Sequence, residues 1–364
     1  MLENRLSRIR DKFELLGIDT VWITQPQNRR YISGFKAADG QLDESSGSLF
    51  INKEKALLLT DSRYTIQAQR EVKNFEVITH KEGLINALPG ILNQLNTRRL
   101  GFEGDYLIWD LYQKAKNQAS LQSPAVELVA ISGLVEDLRK IKCQEEIDSL
   151  SSSALLMGDI LAQVIQELQP GQTERNIAWK IESLIHERNG DGISFSPIVA
   201  SGKNAALPHA TPTNKKIMEH EPIILDVGSI VDGYCSDMTR TVFLGDPSSY
   251  FKEIYHIVRE AQISAIKSIK IGMNSVEADS IARDVIEKAG FGEFFGHSLG
   301  HGIGLVPHEI PYVGPRNPVV LQEGMVFTVE PGIYIPDKGG IRLEEMVILE
   351  KDGARVLTTN INFI

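Results

Sequence analysis

Apolar residues Leu2, Leu6, Ile9, Phe13 and Leu16 recur every three or four positions, which predicts one amphipathic helix at the start of the chain, closed by Gly17. The period then shortens. Apolar runs in TVWIT, SLFIN, KALLLT, FEVITH and RRLGFEG read as strands, and helical stretches such as Arg63 to Val72 lie between them. Strands alternating with helices predict an α/β domain over residues 1–125, closing where Ser123 and Pro124 break the pattern. No cluster of residues in this first part reads as catalytic.

The remainder, 130–364, repeats one pattern twice. Ile147, Leu150, Ala154, Met157, Leu161, Val164 and Leu168 share one face of a helix that stops at Pro170-Gly171, and Thr173 caps a second helix running to Asn189-Gly190. A hairpin follows in EPIILDVGSIVDGYCSDMTRTVFLG. Tyr250 to Lys270 then reads as helix, Gly272 interrupts, Ser275 caps a helix ending at Gly290, and GMVFTVEPGIYIPDKGGIRLEEMVILE supplies another hairpin. Gly171 matches Gly272, Thr173 matches Ser275, Asp226 matches Glu330 and Asp237 matches Glu344, at a nearly constant offset of about a hundred residues. Two αα-ββ halves around a pseudo-twofold axis are the expected architecture.

Charge removes several function classes. With 38 basic against 48 acidic residues and no basic stripe, nucleic acid is not an expected partner. No segment approaches the roughly 18 uninterrupted apolar residues of a spanning helix, and the N-terminus lacks an apolar signal region, so no membrane association and a cytoplasmic location are expected. Cys143 and Cys235 form no CxxC pair and are too few for a disulfide framework, which fits a reducing compartment.

The candidate chemistry lies in the hairpins. Asp232-Gly233 suits a two-residue type I′ turn, which sets Thr239 opposite Asp226 and Gly228 opposite Asp237, so that the two acids share one face. Two bare carboxylates so close repel each other, and a divalent cation removes the conflict. A loop centred near Asp337 sets Glu330 opposite Glu344 in the same way. A single acid on a strand is ordinarily a solvated face, but Asp226 interrupts the apolar run IILDVG, where a lone charge is costly unless paired.

The stretch GHSLGHGIGLVPHE carries His297, His301 and His308 among glycines that argue against a helix. A glycine-lined strand would place His297 and His301 on one face and let the backbone approach another strand or a ligand. One imidazole among four carboxylates is a mixed nitrogen and oxygen set suited to Mn²⁺, Fe²⁺ or Co²⁺, with Zn²⁺ as an alternative. Cys235 shares the parity of Asp237 and would add a soft ligand favouring zinc, although a small cysteine on a strand is more often apolar filler. His209 stands in the loop SGKNAALPHATPT, where a histidine is ordinarily just solvated.

Taken together, these residues resemble the pita-bread metallopeptidases, in the branch holding Xaa-Pro aminopeptidase and prolidase. Asp226 in LDVG, Asp237 in YCSDMTRT, His301 in GHGIGL, Glu330 in TVEPGIY and Glu344 in GIRLEE match that family's five ligands to two metal ions, in order. His209, His297 and His308 match its other histidines, Arg342 matches an arginine beside the last ligand, and NRRYISGF with TDSRYTIQAQ is similar to its creatinase-like N-terminal domain. Glu345 departs from the aspartate common there, a change of one methylene.

The resemblance implies two divalent ions, most often Mn²⁺ with Co²⁺ or Zn²⁺ as alternatives. Glu330 would then be both ligand and proton carrier, His308 a donor to the tetrahedral oxyanion, and His209 a third catalytic residue, with His209, His297, His308 and Arg342 binding substrate. It also implies a homodimer and substrates with proline at the second position. Prolidases often carry an arginine four residues after the histidine matching His308, and Tyr312 stands there, which favours an aminopeptidase acting on longer peptides over a dipeptidase. A creatinase-like amidinohydrolase or a peptide-binding module is the alternative of another class, and retention of all five ligand types weighs against it.

Overall fold

Strand pairing organises both parts of the chain. The computed structural model describes residues 2–41 and 44–358 and divides into two units, Met1–Arg139 and Lys140–Ile364. In the first, β1 (Thr20–Ile23), β2 (Ser48–Asn52), β3 (Ala56–Thr60), β4 (Glu76–Thr79), β5 (Arg99–Glu103) and β6 (Glu127–Ile131) form one sheet in the order β4-β3-β2-β1-β5-β6. β2 runs antiparallel to its neighbours β1 and β3, and the remaining pairs are parallel. All five apolar runs of the first part are strands of this sheet. β6 pairs with β5 from Glu127 to Ile131, so the sheet reaches past residue 125, where the sequence suggests the domain ends.

The expected N-terminal helix is two helices, Leu2–Arg10 and Phe13–Leu16. The Lys12 N–H bonds back to the Ile9 carbonyl at 3.1 Å, a tighter step that breaks the helical ladder while Ile9 and Phe13 both stay in the core. Gly17 ends the second helix at φ 62°, as its position predicts.

The second unit is a pair of similar halves. Helix Gln144–Gln166 is followed by helix Glu174–Glu187, whose cap Thr173 accepts the Asn176 N–H. These helices pack on β8 (Ile198–Ser201), β9 (Ile223–Val227) and β12 (Met238–Val242) through Met157, Leu161, Ile181, Leu225 and Met238, with β7 (Gly192–Ile193), β10 (Ser229–Val231) and β11 (Tyr234–Cys235) in a small separate sheet. In the second half, helices Ser249–Ser268 and Ser275–Lys288 bury Val258, Ala261 and Ala282 against Phe327 and Val347. Their sheet runs β14 (Glu309–Val313), β13 (Gly300–Gly302), β15 (Val326–Val329), β18 (Glu345–Glu350), β19 (Gly353–Val356), and β16 (Gly332–Ile335) pairs with β17 (Gly339–Arg342).

The cap of the last helix lies one residue earlier than expected. Asn274 is extended and its side chain accepts the Val276 N–H, completing a capping box with Glu277, whereas the Ser275 hydroxyl accepts the Val319 N–H at 3.0 Å. Asparagine and serine cap equally well, so backbone conformation decides between neighbours.

Both hairpins keep the expected register but break in the middle. Asp232 and Gly233 have φ of 49° and 78°, as a type I′ turn requires, and Val231 pairs Tyr234 while Asp226 pairs Thr239. Asp237 falls in the gap between the two ladders. In the second hairpin Ile335 pairs Gly339, Gly332 pairs Arg342 and Val329 pairs Glu345, which leaves Glu330 and Glu344 in the corresponding gap. Where a strand leaves one sheet for another, its side chains are released from the pleat and turn to a shared cavity.

Candidate metal centre

Asp226, Asp237, His301, Glu330 and Glu344, the five expected ligands, line one cavity of about 510 Å³ together with His209, His297, His308, Tyr312, Tyr334 and Arg342. Asp237, His301 and Glu344 offer ligand atoms within 4.8 Å of one another. His301 Nε2 lies 3.3 Å from a Glu330 oxygen and 3.7 Å from Asp237 Oδ2. Glycine makes this closeness feasible: a Cβ on Gly300 would sit 1.9 Å from the Thr328 carbonyl oxygen, and one on Gly302 2.4 Å from that of Ile310.

Three carboxylate oxygens in the cage, Asp226 Oδ1, Asp237 Oδ1 and Glu344 Oε1, are buried without a hydrogen-bond partner. Burial, reinforced by the surrounding carboxylates, pushes the Asp237 and Glu344 carboxyls well above the usual range. Burial alone would lower the His301 pKa and raise that of Glu330. Their mutual hydrogen bond and charge outweigh it, bringing His301 up to about 9 and Glu330 down to about 2. Acid oxygens without donors, in a pocket that resists their ionisation, fit a divalent cation by geometry and by charge.

The surrounding side chains hold these acids in place. Thr239 Oγ1 donates to Glu344 Oε2 at 2.7 Å and Thr328 Oγ1 donates to Glu330 at 3.1 Å. Arg342 donates to Asp226 Oδ2 at 2.6 Å, to Tyr334 Oη at 2.8 Å, to the Pro208 carbonyl at 3.1 Å and to Thr239 Oγ1 at 3.1 Å. Because His297 Nδ1 lies 2.8 Å from the Ser298 carbonyl it must carry the proton, so Nε2 accepts from Tyr334 Oη at 2.9 Å. A chain of donors thus runs from Arg342 through Tyr334 to His297. Burial raises the Tyr334 pKa to about 12 and lowers that of His297, and both groups stay neutral at pH 7.

His297 differs from expectation. It lies outside the strand, which spans only Gly300–Gly302, and both of its ring nitrogens are engaged by protein atoms, so a ring edge or face is what it offers a ligand. His308 stacks obliquely on His301 with centroids 4.1 Å apart, and burial with the neighbouring His301 charge lowers its pKa. Neutral His308 still carries one N–H, as an oxyanion donor requires. His209 is solvent-facing on its loop, and Tyr312 stands across the ladder from His301 with half its surface exposed. Cys235 packs in an apolar cluster with Leu150, Ile303 and Met346, the filler role.

Tyr334, Thr239 and Thr328 were not legible as site residues. Thr239 on β12, Thr328 on β15 and Tyr334 on β16 belong to no motif in the sequence, and only the packing of the two hairpins brings them to the acids. Glu345 is likewise more than a neighbour: it is 3% exposed and pairs with Arg240 at 3.0 Å, and Arg240 also donates to the Glu344 carbonyl. Arg240→Met should cost about 3–5 kcal/mol, since it strips a buried acid of its main partner. Urea denaturation with an unchanged midpoint would contradict that.

Residues 148–351 match the model for metallopeptidase family M24, and residues 5–141 match that for the Creatinase/Prolidase N-terminal domain. The chain is 35% identical to an Xaa-Pro dipeptidase of Pyrococcus furiosus, over 98% of each protein. It resembles the structure of an Xaa-Pro dipeptidase from Bacillus anthracis at a TM-score of 0.93, with 38% identity and coverage of 100% of this chain and 99% of that one. An X-Pro aminopeptidase from Thermotoga maritima aligns at a TM-score of 0.87 with 36% identity, covering 96% and 97%. Among the described residues no helix is long and apolar enough to cross a membrane.

Proposed function

This chain belongs to metallopeptidase family M24, in the pita-bread branch of Xaa-Pro peptidases, and we propose that it is an Xaa-Pro dipeptidase using two divalent cations, Mn²⁺ foremost. The observation that carries the reading is the cage itself, five ligand-type side chains around one cavity with three unpartnered carboxylate oxygens. Asp226, Asp237, His301, Glu330 and Glu344 would hold the cations. When bound, such cations supply positive charge that polarises the scissile carbonyl and acidifies a water.

The chain's own residues do the rest. Glu330, kept ionised beside His301, takes a proton from the attacking water and delivers it to the departing proline nitrogen. His308 donates to the oxygen of the scissile carbonyl as charge builds there. His209, which lines the same cavity, contacts the substrate, and Arg342 holds Asp226 and Tyr334. Because an Xaa-Pro amide nitrogen carries no hydrogen, the proline is recognised by shape, and Pro197, Ile198, Pro208 and Pro212 supply apolar wall for it.

The relatives' names favour a dipeptidase over the aminopeptidase suggested by Tyr312. The absence of an arginine at one position removes one way of meeting the dipeptide's free carboxylate and leaves other donors in the cavity lining, such as the Tyr312 hydroxyl and a ring N–H of His209. One observation supports the aminopeptidase as second reading: Arg342, the one Arg or Lys lining the cavity among the described residues, already spends all three of its nitrogens on protein partners. With Mn²⁺ present, kcat/KM for an Xaa-Pro dipeptide should exceed that for the matching Xaa-Pro-Xaa tripeptide by about tenfold or more. A reversed ratio would establish the second reading, and cleavage of neither would remove both.

A further inference from the structure

Glu174 opens helix Glu174–Glu187 and is completely buried, away from the cage. Its carboxylate accepts the Ser201 N–H at 2.8 Å and hydroxyl at 2.9 Å, the Asn204 amide at 3.1 Å, and the Thr213 N–H at 3.0 Å and hydroxyl at 2.6 Å. These donors sit at the two ends of the segment 201–213. Between them run Pro208, His209, Ala210, Thr211 and Pro212, one wall of the substrate cavity. Within the segment Ala205 packs against Ile224 and Tyr334 while Lys203, Leu207 and His209 face solvent, and Arg342 holds it at its middle through the Pro208 carbonyl.

The other half is built alike. Asp279, on helix Ser275–Lys288, is 1% exposed, pairs with Arg283 at 2.7 and 2.9 Å, and accepts the Leu299 N–H at 2.9 Å. Arg283 then donates to the carbonyls of Phe295 and His297, both at 2.9 Å. In each half a buried acid on the second helix grips the backbone of the segment that carries a substrate-facing histidine.

We propose that Glu174 is a positioning residue for substrate recognition, clamping both feet of the 201–213 segment so that His209 is presented to the substrate. This rests on the reading of His209 as a substrate contact. A carboxylate is needed because every partner donates: a glutamine would have to turn its own N–H₂ group toward Ser201 or Thr213, both donors. Burial would raise the Glu174 pKa, and the hydrogen bonds from Thr213 and Ser201 more than offset it, so the clamp is ionised at pH 7.

The test compares Glu174→Gln, His209→Ala and the double variant in the full-length Mn²⁺-loaded enzyme, with trypsin cleavage after Lys203 followed by mass spectrometry as a metal-independent readout. Glu174→Gln should lower kcat/KM about 10–100-fold, mainly through KM, and the double variant should be little worse than His209→Ala alone. Cleavage after Lys203 should quicken at least about tenfold relative to sites in the first unit. Multiplying losses in the double variant, or a kcat/KM within twofold of wild type in Glu174→Gln, would overturn the proposal. A silent His209→Ala would instead remove the substrate-contact reading, and unchanged cleavage after Lys203 would then overturn the clamp as well. Should Glu174→Gln fail to fold, Thr213→Val removes a single donor, and a kcat/KM equal to wild type there would count against the clamp.

Discussion

Glu330→Gln should lower kcat toward an Xaa-Pro dipeptide by about 10²–10⁴-fold, with far-UV circular dichroism unchanged. The substitution keeps the shape of the side chain and its contact with Thr328, but an amide cannot accept the proton of the attacking water. It also removes the charge that faces His301 at 3.3 Å. KM should move much less than kcat, because the group acts in the transition state rather than in ground-state binding. A variant that keeps metal and retains kcat within tenfold of wild type would show that another residue carries the proton.

Removal of divalent metal should abolish turnover and lower Tm, and the loss of Tm should grow with pH. Asp237, Glu344 and His301 all have folded-state pKa values raised above their unfolded ones, His301 to about 9. Each stabilises the metal-free fold fully only below its unfolded pKa, and that stability is lost as pH rises through the raised value. Glu330 has the opposite sign: held at about 2, its contribution is complete above the usual carboxylate pKa and constant from pH 6 to 9. The metal-free cage therefore weakens between pH 6 and 9, where cations take the place of the displaced protons. A cation at a hundredfold excess over its Kd adds about 2.7 kcal/mol, or about 5–10 °C for a unit of this size. Calorimetry at pH 6 and pH 8, with EDTA or Mn²⁺, measures it. An increment that is absent, or that shrinks toward pH 8, would be incompatible with the cage.

Much of the cage was legible because hairpins obey local rules. Asp232-Gly233 and the loop centred on Asp337 determine which residues face each other, and the observed pairs Asp226 with Thr239 and Val329 with Glu345 follow from turn position alone. The glycines at 300 and 302 also declared themselves, since a residue without Cβ marks a close approach whatever approaches it. The duplicated order of helices and hairpins was readable for the same reason, as a periodicity that changes at caps and glycines.

Other features had no local signature. His297 shares a strand parity with His301 on paper, yet the strand begins only at Gly300 and the ring is held by Tyr334 from another hairpin. The engagement of Arg342, the one arginine or lysine lining the cavity among the described residues, depends on three partners from 103 to 134 positions away and on Tyr334 nearby. Glu174 reads in sequence as an acid in the first turn of a helix, where the helix dipole alone would explain it.

The sequence by itself determined the elements, the hairpin registers and the kinds of ligand atom available, because capping, turn geometry and strand alternation act over a few residues. The tertiary structure alone decided which of those side chains share one low-dielectric cavity. Burial and mutual repulsion there set their protonation and leave carboxylate oxygens unpartnered, and both depend on long-range packing that no local pattern encodes.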